Sequence, residues 1–162
     1  MMAYISFTKT KLPYGWLGNM FPAPITYQGQ IWRTCEALFQ ALRFEDVTIR
    51  EMIRNEKSPM SAKMVARRKE HMTKRVVEPM SMEDIDNMRL CLRIKFDQHR
   101  DLRDKLLNTR DHIIFEDISS RNKGRHKFWG AVKTDGELDG NNMLGKLLME
   151  LRVEIKNEDG FL

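Results

Sequence analysis

Thr34-Cys35-Glu36-Ala37-Leu38-Phe39-Gln40-Ala41-Leu42-Arg43-Phe44 is the stretch on which the fold reading turns. Thr34 offers a hydroxyl that can cap a helix start. Behind it, Leu38 and Leu42 recur four residues apart and define an inward face. The pattern predicts a helix from Cys35 to about Phe44. On its N-terminal side, Pro22, Pro24 and Gly29 frame a hairpin that pairs Ile25 to Tyr27 with Gln30 to Trp32. Further out, Ala3 to Phe7 reads as a short strand, broken by Leu12-Pro13-Tyr14-Gly15.

On the C-terminal side, Ser58-Pro59 places proline at a first helical position. Ser81-Met82-Glu83-Asp84 resembles a capping box. It opens a helix whose apolar positions Met88, Cys91, Leu92 and Phe96 keep helical spacing. Leu102, Leu106 and Leu107 continue as another helical piece, and Ile113 to Phe115 reads as a strand. Residues 118–140 read as a long functional loop. A last helix, about Asn142 to Lys156, carries Leu144, Leu147, Leu148, Leu151 and Ile155 on one face. The expected fold is mainly α, an α+β arrangement with a few short strands. The 162 residues predict a single domain over 1–162.

Composition narrows the class. Hydrophobic residues make up 41% and charged residues 31%, which is globular rather than disordered. Apolar runs are short and broken by charge, so no membrane span is expected. Met1 to Thr10 has no basic segment followed by an apolar run, which makes the cytoplasm the expected compartment. Cys35 and Cys91 have no paired spacing and are expected as free thiols. The net charge is +5. Its basic residues cluster at Lys63, Arg67, Arg68 and Lys69, with Lys74 and Arg75 nearby. Such a surface attracts phosphate, on a nucleotide or on a nucleic acid. No aromatic residue interleaves with the cluster, which weakens a single-strand-binding reading.

Several familiar motifs fail on inspection. Gly140-Asn141-Asn142-Met143-Leu144-Gly145-Lys146 imitates a phosphate loop, yet Leu147 stands where Ser or Thr should hold magnesium. Asp135, Glu137 and Asp139 imitate the start of a calcium loop, whose twelfth position is Lys146. His71, His99, His112 and His126 lack zinc-site spacing, so no metal is expected. There is no nucleophile elbow.

Three blocks carry a family resemblance. The first is Trp16-Leu17-Gly18-Asn19-Met20-Phe21-Pro22-Ala23-Pro24-Ile25 with Tyr27-Gln28-Gly29. The second is the opening helix, followed by Ser58-Pro59-Met60, Ala62-Lys63 and Lys95-Phe96. The third is Phe128-Trp129-Gly130, then Gly140-Asn141, Leu144-Gly145, Leu148-Met149 and Leu151-Arg152. Together they span roughly residues 14 to 152, and the chain resembles the YbiA-like (NADAR) family. Gly18 and Cys35 depart from serines of the family pattern, and Arg43 from its lysine. Arginine cannot form a Schiff base. His126 stands where many relatives show an aspartate, and Met80 where some have a tryptophan.

The resemblance implies an N-glycosidase or ADP-ribosyl hydrolase that works without metal or cofactor. Its implied ligand is a nucleotide-like small molecule, ADP-ribose or a ribose phosphate. Relatives hydrolyse ribosylamino-pyrimidine intermediates of riboflavin synthesis or remove ADP-ribose from modified guanine, so ADP-ribosylated nucleic acid belongs to the implied partners. A rival reading is a non-catalytic module that senses or sequesters an ADP-ribose-like nucleotide. Retained Glu36 and Trp129 favour catalysis, and the replaced serines and lysine favour the rival.

Cleaving a ribosyl C–N bond builds positive charge on the sugar, as in glycoside hydrolysis. A carboxylate must meet that charge or activate water. Glu36, in the first turn of its helix, is the first catalytic candidate, its bland alternative being to satisfy the helix dipole. Asp117 is the second, its alternative being an ordinary loop carboxylate. For substrate binding the candidates are Asn19, Arg43, Lys63, Trp129 and Asn141. Trp129 would stack on a base, or else fill the core. Asn19 and Asn141 would bind ribose or phosphate, or act as turn and cap residues. Arg43 and Lys63 would grip phosphate oxygens. The alternatives are an Arg43 pair with a carboxylate such as Asp46, and for Lys63 a solvated charge.

Overall fold

The computed structural model describes residues 2–121 and 123–160. In chain order the elements are β1 (Tyr4–Phe7), β2 (Ile25–Tyr27), β3 (Gln30–Trp32), α1 (Cys35–Ala41), α2 (Val47–Arg54), α3 (Pro59–Ala66) and α4 (Lys69–Met72). They continue with α5 (Met82–Gln98), α6 (Arg100–Asn108), β4 (Ile113–Glu116), α7 (Lys123–His126), β5 (Val132–Thr134), β6 (Glu137–Asp139) and α8 (Met143–Glu158). The expected mainly helical α+β class holds. The backbone falls into two compact units, Asn19–His99 and Met1–Gly18 with Arg100–Leu162.

In the Asn19–His99 unit, β2 and β3 pair antiparallel in the expected register, Ile25 opposite Trp32 and Tyr27 opposite Gln30. The turn residues Gln28 and Gly29 both have positive φ, 48° and 78°. That geometry follows the right-handed twist of the flanking strands. The Thr34 hydroxyl caps α1 by accepting from the Ala37 N–H at 3.1 Å. Every residue of α1 is buried, and the helix packs on α2, α3 and α5. It ends at Ala41, short of the expected Phe44. Phe44 instead bridges Arg75 across an antiparallel contact, which draws the backbone out of the helix. Ser58 and Ser81 cap α3 and α5 as their spacing predicts.

In the other unit, β1 and β4 pair parallel, Tyr4 opposite Ile113 and Phe7 opposite Glu116. Helix α8 lies against β4, and Gly145 permits the approach. A Cβ there would collide with the Ile114 carbonyl oxygen. The segment expected as a long functional loop over 118–140 has secondary structure of its own. The segment contains α7 and the β5–β6 hairpin, closed by Asp135 and Gly136 with φ of 51° and 80°. It also terminates a helix. Carbonyls of Lys127, Phe128, Trp129 and Gly130 accept the N–H groups of Asn141, Met143, Leu144 and Asn142 at the start of α8. Those amides have no partner inside the helix, so the segment supplies a backbone cap. No helix among the described residues is long and apolar enough to cross a membrane.

Candidate functional site

Glu36 sits in the first turn of α1 and is buried, 8% exposed. Its N–H donates to the Asn19 carbonyl at 3.0 Å, which fixes Asn19 beside the helix start. One carboxylate oxygen, Oε1, accepts from Gln40 Nε2 at 2.9 Å, one helical turn on. Asn19 is equally enclosed. Its Nδ2 reaches the Met88 sulfur at 3.0 Å, while its buried Oδ1 has no hydrogen-bond partner among the described residues. A buried carbonyl oxygen left unpaired costs free energy. One buried acceptor without a donor thus stands at the start of the helix that carries Glu36.

Arg43 does not project as a free cation. Its Nε and Nη2 clasp both oxygens of Asp84 at 2.9 and 2.8 Å, and its Nη1 reaches Gln40 Oε1 at 3.4 Å. The guanidinium also lies over the Phe39 ring, 4.7 Å from its centroid. The carboxylate partner is therefore Asp84 and not Asp46, which caps α2 through Thr48 and Ile49. Asp84 Oδ2 also accepts from the Met80 N–H at 2.9 Å. A chain of side chains, Asp84 to Arg43 to Gln40 to Glu36, holds the carboxylate in place. Gln40 and Asp84 complete the site beyond the sequence candidates. The capping pattern at Ser81 marked Asp84 only for its backbone role.

Cys35 at the start of α1 and Cys91 and Lys95 of α5 give the unit two buried thiols and a buried amine. Cys91 is fully enclosed, and burial followed by its hydrogen bond with Cys35 raises its pKa well above the usual thiol value. Lys95 is 1% exposed. Burial pushes its ammonium down to about 8, against the opposing influence of Cys35. Its Nζ lies over Phe96 and Phe21, at 5.3 and 5.9 Å from the ring centroids. Lys63, half-buried, stands in the last turn of α3 in the same unit.

The remaining candidates belong to the other unit. Asp117 Oδ1 accepts from the Ser119 N–H at 2.9 Å, a local turn contact. Trp129 is half-buried rather than a core residue, edge-on to Phe128 with centroids 5.0 Å apart. Asn141 is exposed. The cap position of α8 belongs to Asn142, which is left-handed at φ 49° and donates from Nδ2 to the Ile114 carbonyl at 2.9 Å. The capping alternative for Asn141 therefore does not hold. Among the described residues no group of three or more His, Cys, Asp or Glu is arranged to hold a metal ion.

The buried, positioned carboxylate at the start of α1 and the parallel β1–β4 pair under α8 fall within one family. A family model of the NADAR domain matches residues 6–156, and the chain belongs to the NADAR domain family. It is 36% identical over 154 residues to N-glycosidase YbiA of Escherichia coli, covering 95% of this chain and 89% of that one. An N-glycosidase of Nostoc punctiforme is 32% identical over 156 residues, covering 94% and 93%. A riboflavin biosynthesis protein of Vibrio vulnificus is 29% identical over 143 residues, and this chain spans 36% of its length. The solved NMR structure of E. coli YbiA superposes with a TM-score of 0.81 at 34% identity, covering all of this chain and 90% of that one.

Proposed function

We propose that this chain hydrolyses the ribosyl C–N bond of a nucleotide-like phosphate, with Glu36 as the catalytic carboxylate. The chain is an enzyme of the N-glycosidase class, as are its full-length relatives in E. coli and N. punctiforme by name. Its substrate is a ribosylamino-pyrimidine phosphate or an ADP-ribose-related nucleotide. The observation that carries the reading is the buried acceptor at the head of α1. Asn19 Oδ1 has no hydrogen-bond partner among the described residues, and the Asn19 carbonyl accepts from the N–H of Glu36, whose carboxylate Gln40 orients through Oε1. A ribose brings to these two groups hydroxyl donors in the ground state and positive charge at C1 in the transition state.

In the reaction the C–N bonding pair leaves with the base nitrogen, which takes up a proton. Water oxygen bonds to C1, its proton passes to Glu36, and Glu36 hands that proton on to the departing base nitrogen, which restores the carboxylate. Gln40 holds Oε1, so the carboxylate keeps one orientation as charge develops. Arg43, clasped by Asp84, acts as a positioning residue through Gln40. Lys63 contributes phosphate attraction, while Trp129 and Asn141 are proposed ligand contacts of their own unit. Asp117 stands second to Glu36, because its Oδ1 already serves a local turn.

The test is base release followed by mass spectrometry across ribosylamino-pyrimidine phosphate, NAD, ADP-ribose and ADP-ribosylated guanine nucleotide. Glu36→Gln preserves shape and removes charge. It is expected to lose about 10²- to 10⁴-fold in turnover with ligand affinity within a few-fold of the parent. Full turnover in a folded Glu36→Gln protein would move the role elsewhere. Tight binding by the parent without base release would assign a sensing function instead.

A further inference from the structure

The two thiols of the Asn19–His99 unit meet where α1 packs on α5. Cys35 is the first residue of α1 and is 1% exposed, and Cys91, midway along α5, is wholly enclosed. The thiols touch through a hydrogen bond, yet they are not equivalent. Burial, then that bond, then the negative charges of Cys35, Glu36 and Asp84 keep the proton on Cys91. Cys91 is therefore the donor, and Cys35 is the sulfur that carries charge when the pair ionises. Lys95 stands one helical turn after Cys91. The charge of Cys35 favours its ammonium, and that attraction is mutual, which sets a counter-cation beside Cys35. A sulfur beside a cation, with a second thiol in contact, has the chemistry of a reversible disulfide. The hydrolysis described above uses none of these three groups.

We propose that Cys35 and Cys91 are a redox pair which hydrogen peroxide closes into a disulfide, and that the closed form switches the Glu36 site off. The control of turnover rests on the function proposed above, whereas the bond does not. Cys35 attacks one peroxide oxygen as the thiolate. The O–O bond breaks, and the leaving hydroxide takes up the proton that Cys35 gave up, forming water. Cys35 has lost two electrons and is a sulfenic acid. Cys91 then attacks the Cys35 sulfur. The S–S bond forms, the S–O bond breaks, and the departing hydroxide takes the Cys91 proton as a second water. A dithiol reverses the change by exchange, its own sulfurs becoming the disulfide. A small uncharged oxidant reaches buried sulfur through local opening. Closure has a consequence one residue away. The sulfurs are in hydrogen-bond contact, and an S–S bond is only ~2 Å long, so the head of α1 is drawn toward α5. Glu36 follows Cys35 directly, and its contacts to Asn19 and Gln40 move with it. A misplacement of ~1 Å is enough to lower a rate about 100-fold.

The test is treatment of the reduced full chain with hydrogen peroxide, followed by intact mass and non-reducing peptide mapping. The mass should fall by two hydrogens, the Cys35 and Cys91 peptides should be joined, and dithiothreitol should reverse both changes. Base release should fall at least about tenfold in the joined form and return on reduction. Cys35→Ser and Cys91→Ala, each shown to fold by circular dichroism, should turn over within about twofold of the parent and keep that rate after peroxide. The mass readout on the parent needs neither variant. Glu36→Gln should be joined as readily as the parent, so the bond is read whatever becomes of the catalytic reading. A parent that joins but releases no base from any substrate overturns that reading, and with it the switch, leaving the redox pair. The pair itself is overturned if the mass rises by whole oxygen atoms with no joined peptides, as methionine oxidation alone would give. The switch is overturned if the joined protein turns over like the reduced one, or if Cys91→Ala loses activity to peroxide as the parent does.

Discussion

At the scale of single residues, the buried pair Arg43–Asp84 is linked to the Glu36 carboxylate through Gln40. Asp84 is fully enclosed, and its two oxygens meet a guanidinium fork and the Met80 amide. Removing one partner strands the other charge in the interior. Arg43→Met is expected to destabilise the protein by about 3–5 kcal/mol in urea unfolding. Arg43→Met with Asp84→Leu should recover much of that loss, leaving turnover lower because Gln40 has lost its neighbour. A double variant as unstable as the sum of the singles would deny the coupling. Lys95 gives a prediction in pH. Its folded-state pKa of about 8 lies below the ordinary lysine value. Between about pH 8 and 10.5 the unfolded chain therefore holds a proton that the folded chain has released, and this residue's contribution to stability rises with pH. The penalty present below pH 8 amounts to about 3 kcal/mol. Lys95→Met should be more stable than the parent at pH 7, and the gap should close as pH approaches 10. A gap that does not change with pH would show that the amine is not desolvated as described.

At the scale of elements, local chemistry explains what the sequence disclosed. Caps at Thr34, Ser58 and Ser81 act over three residues, so the starts of α1, α3 and α5 could be read directly. The β2–β3 hairpin was equally legible from its prolines and glycine. Helix α2 was missed because only Ile49 and Ile53 in it are buried and its cap is the unassuming Asp46. The β5–β6 hairpin was hidden because its strands, Val132–Thr134 and Glu137–Asp139, are three residues each and mostly polar, so the Asp135-Gly136 turn had no legible strands beside it. Non-local partners left no trace. Arg43 and Asp84 lie 41 residues apart, and the parallel partner of β1 is more distant still. In the catalytic candidate, Glu36 was readable from its place in a motif, whereas the Gln40 and Asp84 support needed coordinates. The prediction at this scale concerns α8. Gly145→Ala would drive a methyl into the Ile114 carbonyl and the Asn142 side chain. Overpacking of this kind costs about 1–3 kcal/mol. Thermal unfolding should show the loss, and an unchanged midpoint would mean that α8 has room to retreat from β4.

At the scale of the whole molecule, the division of the chain matters more than any one contact. One unit is a continuous segment, Asn19–His99, and the other is built from the two ends of the sequence. Hydrogen exchange should follow that division. The amides of Tyr4–Phe7 should share their protection with Ile113–Glu116, to which they are paired. Protection of β1 that tracked α1 and α5 instead would contradict the parallel pairing. The same arrangement bears on how the protein is made. On a ribosome β1 emerges about a hundred residues before its partner β4. At typical elongation rates that is a wait of roughly 5–20 s, long against the folding time of a small helical segment. During it Asn19–His99 can close on itself while Ile5 and Phe7, later buried, remain uncovered on an unpaired edge. The nascent chain is thus exposed to chaperones and to sticking at its first strand, and a translational pause after α5 would help the middle while prolonging the danger at the start.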